Sequence, residues 1–427
     1  MSATIIRNGR VIDPANKRDE IVDLAIVDGR IAQRSEISGQ KSEVEEIDAK
    51  GLIVAPGLID MHVHLREPGS SHKETIASGA RAAAAGGFTT IVCMPNTSPP
   101  ADNPSTIAWI KDRAAETGCV NVLPSGAISK DLAGEELAPI GSLEEAGVVA
   151  ITDDGHCVQN HELMRRAVEY ARMFGLPVLD HCQDYNLVCN GVVHEGYWST
   201  LLGLAGWPAA GEEAIVLRNI LLAELCDHRI HCQHISAAGS VRLLREARTR
   251  GVKISGEVCP HHIALTDEAI QNFDTNFKIN PPLRSQRDVD ALLEGIADGT
   301  LSILASDHAP HADFEKEVEF DVAPFGVVGL ETELGIFIDL LVHKHGKIDI
   351  GRLIEMHTIE PARLLRIEAG TLSSGAVADV TLIDPNLEWA VKTDTFQSAS
   401  RNSPFDGWKL RGRAVQTIVS GKTVWKL

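Results

Sequence analysis

Apolar and polar residues alternate in two rhythms along this chain of 427 residues. Near the start, short runs with a period of two over residues 4–6, 10–12, 22–27 and 30–33 predict β-strands. Asn8-Gly9 and Asp28-Gly29 mark hairpin turns between them. The end of the chain echoes this pattern. Residues 377–383, 414–420 and 423–425 read as strands, with Ser420-Gly421-Lys422 as a turn. In the middle, apolar runs at 58–62, 89–94, 120–127, 148–152, 177–181, 229–234, 252–258 and 302–306 predict further strands. Stretches of helical period, such as 78–85, 161–174, 212–226 and 240–250, lie between most of them.

Eight strands alternating with helices predict an α/β fold, a (β/α)8 barrel of TIM type. The β-rich ends predict a small β-sandwich domain built from residues 1–56 and 372–427, with the barrel inserted as 57–371. Residues 184–210 are long for a barrel loop and carry Gly, Trp and Tyr, which predicts a lid or an interface.

Composition narrows the function. With 44% hydrophobic and 23% charged residues the chain is globular and long enough for a large core. A net charge of −19 argues against nucleic acid or an anionic membrane surface as partner. An anionic ligand therefore needs a local positive site. No apolar run approaches the ~18 residues that span a bilayer, and residues 1–9 read as a strand entering a turn rather than a targeting signal. The eight cysteines contain no C-x-x-C pair and read as reduced core residues of a cytoplasmic protein.

Chemistry concentrates at the predicted strand ends, where barrels of this type hold their active sites. His62 and His64 alternate on one strand, so both rings face one side. Asn96 follows the second strand, Asp153-Asp154 the fourth, His181 the fifth, His234 the sixth, and Asp307-His308 the eighth. Imidazole and carboxylate donors suit Zn²⁺ ahead of Mn²⁺, Co²⁺ or Fe²⁺. The number of donors predicts one or two ions, with two favoured, bridged by a carboxylate. Metal binding brings the pKa of water to about 7, and Asp307 stands where a general base could take the proton. Arg66, beside H-x-H, could clamp an anion.

At these residues the chain resembles the bacterial type I dihydroorotases of the metal-dependent amidohydrolase superfamily. The resemblance rests on Pro56–Gly69 with its H-V-H-L-R-E-P-G run, on Met94-Pro95-Asn96-Thr97, Thr152-Asp153-Asp154-Gly155 and Ser306–His311, and on Phe325–Thr332. It implies reversible cyclisation of N-carbamoyl-L-aspartate to L-dihydroorotate, through metal-bound hydroxide, in pyrimidine synthesis. It implies that His62, His64 and Asp307 hold one metal, that His181 and His234 hold the second, and that Asp154 bridges them. It assigns the substrate carboxylate to Arg66, Asn96 and His311, with Asn280, Phe325 and Gly326 as further substrate contacts. A homodimer and an association with aspartate transcarbamoylase are possible partners of such a chain.

Residues 147–154 contain no lysine. Dihydropyrimidinases and allantoinases usually bridge their metals with a carbamylated lysine in that region, so the resemblance weighs against hydantoin or allantoin as substrate. Two rival readings stand beside it: another cyclic amidase, and a ligand-free scaffold for the transcarbamoylase. Asp153 competes with Asp154 as the bridge, and motif register favours Asp154. His261 and His262 read as structural, and His72, His156, His194, His228, His343, His345 and His357 as surface or packing residues.

Overall fold

Parallel strands carry the middle of the chain in the computed structural model, which describes residues 3–33, 44–117 and 119–427. Leu58–Val63, Phe88–Cys93 and Asn121–Pro124 form one parallel sheet. Val178–Asp180, Ile230–Cys232, Ile254–Val258 and Ile303–Leu304 form another. These strands are buried on both faces, which is why they read as continuous apolar runs.

The strand expected at 148–152 is reduced to a single bridging residue. Ile151 pairs with Gly126 on one side and Val178 on the other. Its backbone ladder is nonetheless made: Val149 N–H donates to Pro124 O, Ile151 N–H to Pro177 O, and Thr152 N–H to Gly126 O. The regular strand stops because Asp153 turns its carboxylate onto the N–H groups of Ile128 and Ser129, at 2.7 and 3.0 Å. A further bridge, Val63 to His308, joins the opposite margins of the two sheets. Met61, Val92, Ala150, Leu179 and Ile303, one from each of five parallel segments, pack into one apolar cluster.

Helices cover the parallel strands, and their ends follow local sequence. Ile76–Gly86 begins with a capping box in which Thr75 and Ser78 exchange hydrogen bonds, and it stops at Gly87 with φ 97°. His161–Phe174 is capped by Asn160, whose side chain accepts from Glu162 and Leu163 N–H. Ala210–Cys226 and Ala238–Thr249 match the other two expected helices within a few residues. Residues 184–210 hold two short helices, Tyr185–Val188 and Tyr197–Leu202, and a small strand pair, Val193–His194 with Gly206–Trp207.

The two chain ends meet in one six-stranded sheet. Its order is Lys422–Lys426, Lys409–Val419, Val380–Ala390, Ile53–Pro56, Arg10–Asp13 and Arg18–Ile21. A four-stranded sheet takes Arg30–Ala32, Leu24–Val27, Ala3–Arg7 and Val44–Asp48. Met1 and Ser2, the start of the stretch read as a strand entry, lie outside the described residues. Alternation sorts the side chains: Val11, Val54 and Leu382 join Ile6, Leu24 and Ile26 of the smaller sheet in one core. Their neighbours Ile12, Ile53 and Ile383 face the main core instead.

All eight cysteines are free; six are buried, Cys119 is partly buried and Cys189 is exposed. No helix among the described residues is long and apolar enough to cross a membrane.

Candidate active site

The strand ends converge. His62 is the last but one residue of its strand, His64 follows the strand directly, and Asp154, His181, His234 and Asp307 come just after the C-terminal ends of their own segments. Candidate donor atoms of His62, His64 and Asp307 lie within 4.8 Å of one another, as do those of His62, Asp154 and His234. His181 completes the set: its Nδ1 lies 2.7 Å from His234 Nε2 and 3.6 Å from Asp154 Oδ1. All six residues are buried.

Hydrogen bonds around the site fix which nitrogen of each ring faces inward. His62 Nδ1–H donates to Glu257 Oε1 at 2.6 Å, and His64 Nδ1–H donates to Asn96 Oδ1 at 2.9 Å. Their Nε2 lone pairs then face carboxylates. His62 Nε2 lies 3.3 Å from Asp154 Oδ1 and 3.5 Å from Asp307 Oδ1. His64 Nε2 lies 3.3 Å from Asp154 Oδ2 and 3.2 Å from Asp307 Oδ1. His181 Nε2–H donates to Gln183 Oε1 at 2.9 Å, which turns Nδ1 toward His234.

Lone pairs aimed at carboxylates repel unless a proton or a metal cation lies between them. Asp154 Oδ1 is buried with no hydrogen-bond partner, though three imidazole nitrogens surround it. Such an orphaned acceptor is costly in a protein interior. Nitrogen and oxygen donors with one unsatisfied carboxylate oxygen fit a divalent metal ion.

The electrostatics agree. Burial opposes charge on Asp154 and Asp307, yet the surrounding histidines, His62 foremost, hold both carboxyls well below the usual carboxylate range. Burial also opposes charge on His62, but Asp154, Glu257 and Asp307 together push it well up. Arg66 is lowered by burial to about 10 and stays charged at neutral pH.

Three site residues sit in the left-handed region that side chains rarely adopt: Arg66 at φ 59°, His234 at 32° and Asp307 at 47°. Each costs about 1–3 kcal/mol and persists only where its surroundings hold it. For Asp307 the clamp is visible. Ser306 Oγ–H donates to Asp60, Asp60 Oδ1 accepts His62 N–H at 3.0 Å, and His64 N–H donates to His308 O at 2.8 Å.

The candidate substrate contacts share one cavity of about 160 Å³. Arg66, Asn96, Asn280, His311, Phe325 and Gly326 line it together with His64, Asp154, His181, His234 and Asp307. Gly155 and Ala309 complete the wall, while His62 lies beneath it. Arg66 Nε donates to Pro310 O at 3.2 Å. Asn280 Oδ1 is buried without a partner.

His311 is committed on both sides: Nε2–H donates to Phe325 O at 2.8 Å, and Nδ1 accepts from Lys73 Nζ at 3.3 Å. Burial, with Arg66 and Lys73, lowers its pKa to about 2, so the ring is neutral.

The segment carrying Phe325 and Gly326 is tied down by Asn402, whose amide donates to Ala309 O and Gly326 O. Lys316 Nζ donates to Pro324 O and Gly326 O, and Lys278 Nζ to Asp321 O. Gly326 has φ 127°, and a Cβ there would stand 2.7 Å from Ala309 Cβ and 3.0 Å from Ala309 O, so glycine is required.

Asp153 caps rather than ligates: it holds Ile128, Ser129 and the Ser129 hydroxyl. His261 and His262 are buried beside each other, with ring centroids 4.3 Å apart. With Cys259 they form a third buried group of metal-capable atoms. Of the histidines read as surface or packing residues, His228 and His357 are buried. Glu257, Gln183 and Gln233 touch the site although sequence reading did not single them out. The available signal was a lone acid within the strand Ile254–Val258 and polar residues one place before His234 and two places after His181.

Comparison with known proteins identifies the family. A family described as dihydro-orotase-like matches residues 51–240. The chain is 53% identical over 420 residues to a dihydroorotase of Pelotomaculum thermopropionicum, covering 98% of each. It is 49% identical over 422 residues to a dihydroorotase of Citrifermentans bemidjiense, covering 99% of each. Among solved structures it resembles an L-hydantoinase (dihydropyrimidinase) from Arthrobacter aurescens, with a TM-score of 0.89 at 25% identity, covering 100% of this chain and 96% of that one. With strand-end histidines and carboxylates gathered beside a half-buried arginine, and relatives this similar over nearly their whole length, the chain belongs to the dihydroorotase family.

Proposed function

We propose that this protein interconverts N-carbamoyl-L-aspartate and L-dihydroorotate for pyrimidine synthesis, using Zn²⁺ held by the strand-end ligands. The observation that carries this reading is the pairing of inward-facing Nε2 lone pairs with Asp154 and Asp307 beside the Arg66 cavity. His62, His64 and Asp307 would hold one ion, His181 and His234 a second, with Asp154 between them. When bound, the metal supplies hydroxide at neutral pH and polarises the ring carbonyl.

The protein's own groups do the rest. Arg66 offers paired donors to the substrate carboxylate, and the free amide nitrogen of Asn96 adds a neutral one. Asn96 can do both tasks because its oxygen is already occupied by His64. His311 reaches the carboxylate only by turning its Nε2–H away from Phe325 O, while Asn280, Phe325 and Gly326 bound the ring. Holding the carboxylate fixes the ring amide against the metal centre. Asp307 takes the proton from the attacking oxygen as it adds to the ring carbonyl and passes it to the ring nitrogen as the C–N bond breaks.

The finer architecture is proposed alongside. The two parallel sheets, with their bridges at Ile151 and at Val63–His308, support a closed (β/α)8 barrel over residues 57–371. The two mixed sheets and their shared core support a β-sandwich of residues 1–56 and 372–427. A cytoplasmic location, a homodimer and association with aspartate transcarbamoylase rest on the family resemblance, and co-purification of untagged transcarbamoylase tests the last.

A substrate panel tests the reaction. With dihydroorotate, dihydrouracil, hydantoin and allantoin, kcat/KM is expected to favour dihydroorotate by at least about 100-fold, because a half-buried charged clamp left without its carboxylate is costly. Preference for an uncharged ring would replace this reading with another cyclic amidase.

A further inference from the structure

Glu257 lies in the strand Ile254–Val258 and is fully buried. One oxygen, Oε1, serves two residues from the ends of different strands. It accepts His62 Nδ1–H at 2.6 Å and the backbone N–H of His234 at 3.2 Å. The second oxygen, Oε2, accepts His231 Nε2–H at 3.0 Å. His231 Nδ1 in turn accepts the Ser255 hydroxyl at 2.8 Å. Ser255 ends this file at a cavity lined also by Arg229, Lys253 and Ser302, at the opposite ends of the strands.

No side-chain polar atom of Glu257, His231 or Ser255 lacks a partner. A buried carboxylate is tolerated when its hydrogen bonds are complete, and a complete network specifies one arrangement. Here that arrangement concerns the metal centre. The bond to His62 fixes the ring so that Nε2 faces Asp154 and Asp307. The bond to His234 supports a backbone held at φ 32°.

We propose that Glu257 is a positioning residue that sets both halves of the metal centre at once, and that His231 and Ser255 hold it in place. This rests on the reading of His62 and His234 as ligands of the two ions. Partners of this kind commonly change metal affinity 10–100-fold when removed. Glu257 differs from an ordinary outer partner because one oxygen is shared between the two ligand sets. Its loss must therefore weaken both ions together.

The test is metal affinity, read without turnover. Folded protein stripped of metal is titrated with Zn²⁺ against a chromophoric chelator, and with Co²⁺ by its visible absorption. In Glu257→Gln, which keeps the volume and removes the charge, both metal-binding steps are expected to weaken at least about tenfold, with an altered Co²⁺ spectrum. Glu257→Asp keeps the charge but withdraws it; it is expected to weaken both steps as well, and it carries the test if the glutamine variant does not fold. A lower Tm with both dissociation constants unchanged would reduce Glu257 to a structural residue and overturn the proposal. Weakening of one ion alone would overturn the shared role. A wild-type protein that takes up no divalent ion would overturn the site reading itself, and this proposal with it.

Discussion

Asp307→Asn is expected to lower kcat for dihydroorotate hydrolysis by up to about 10⁴-fold, the upper range for removal of a positioned general base. Asparagine keeps an oxygen near the place of Oδ1, which lies 3.2 Å from His64 Nε2 and 3.5 Å from His62 Nε2. Metal binding should therefore survive in part. What is lost is the anionic oxygen that accepts the proton. Circular dichroism and metal content are measured on the same sample, so that loss of fold or of metal is separated from loss of the base. A folded, metal-loaded variant with ordinary kcat would remove Asp307 from proton transfer.

Arg66→Ala is expected to raise KM for dihydroorotate by about 100-fold, some 3 kcal/mol, with a smaller change in kcat. Arg66 lines the cavity while its Nε is tied to Pro310 O, which leaves the terminal nitrogens for a ligand. Its interaction with the carboxylate is present in the bound ring and in the transition state alike, so its removal acts mainly on binding. The control is slow turnover of dihydrouracil, which has no carboxylate and should be nearly indifferent to the change. An unchanged KM for dihydroorotate, or an equal loss on both rings, would take the clamp away from Arg66.

The candidate metal ligands were legible because they sit at strand ends, where a polar residue interrupts an apolar run. The period of two put His62 and His64 on one side, and both Nε2 atoms indeed face Asp307. The substrate-contact candidates were legible only through the family resemblance; Asn280 and Phe325 have no local pattern that points at a cavity.

Several elements left little trace. Arg18–Ile21 and Val44–Asp48 are edge strands of Arg-Asp-Glu-Ile and Val-Glu-Glu-Ile-Asp, charged and largely exposed, so no apolar alternation announces them. The segment at 148–152 reads as a full strand because its burial is strand-like; Asp153 then diverts it into a turn after Ile151. The supporting contacts were the least legible. Glu257 meets His62, and Asn402 meets Ala309, across long separations in sequence, and only the folded chain brings them together. His311 illustrates the same limit: its place by the cavity was expected, but its two bonds to Phe325 and Lys73 were not.

Metal analysis coupled to a dihydroorotate hydrolysis assay tests the central claim most directly. The protein as purified is expected to carry one to two equivalents of zinc, to lose turnover as a chelator removes them, and to regain it when Zn²⁺ is restored. Full hydrolysis by protein stripped of all divalent ions would contradict the account.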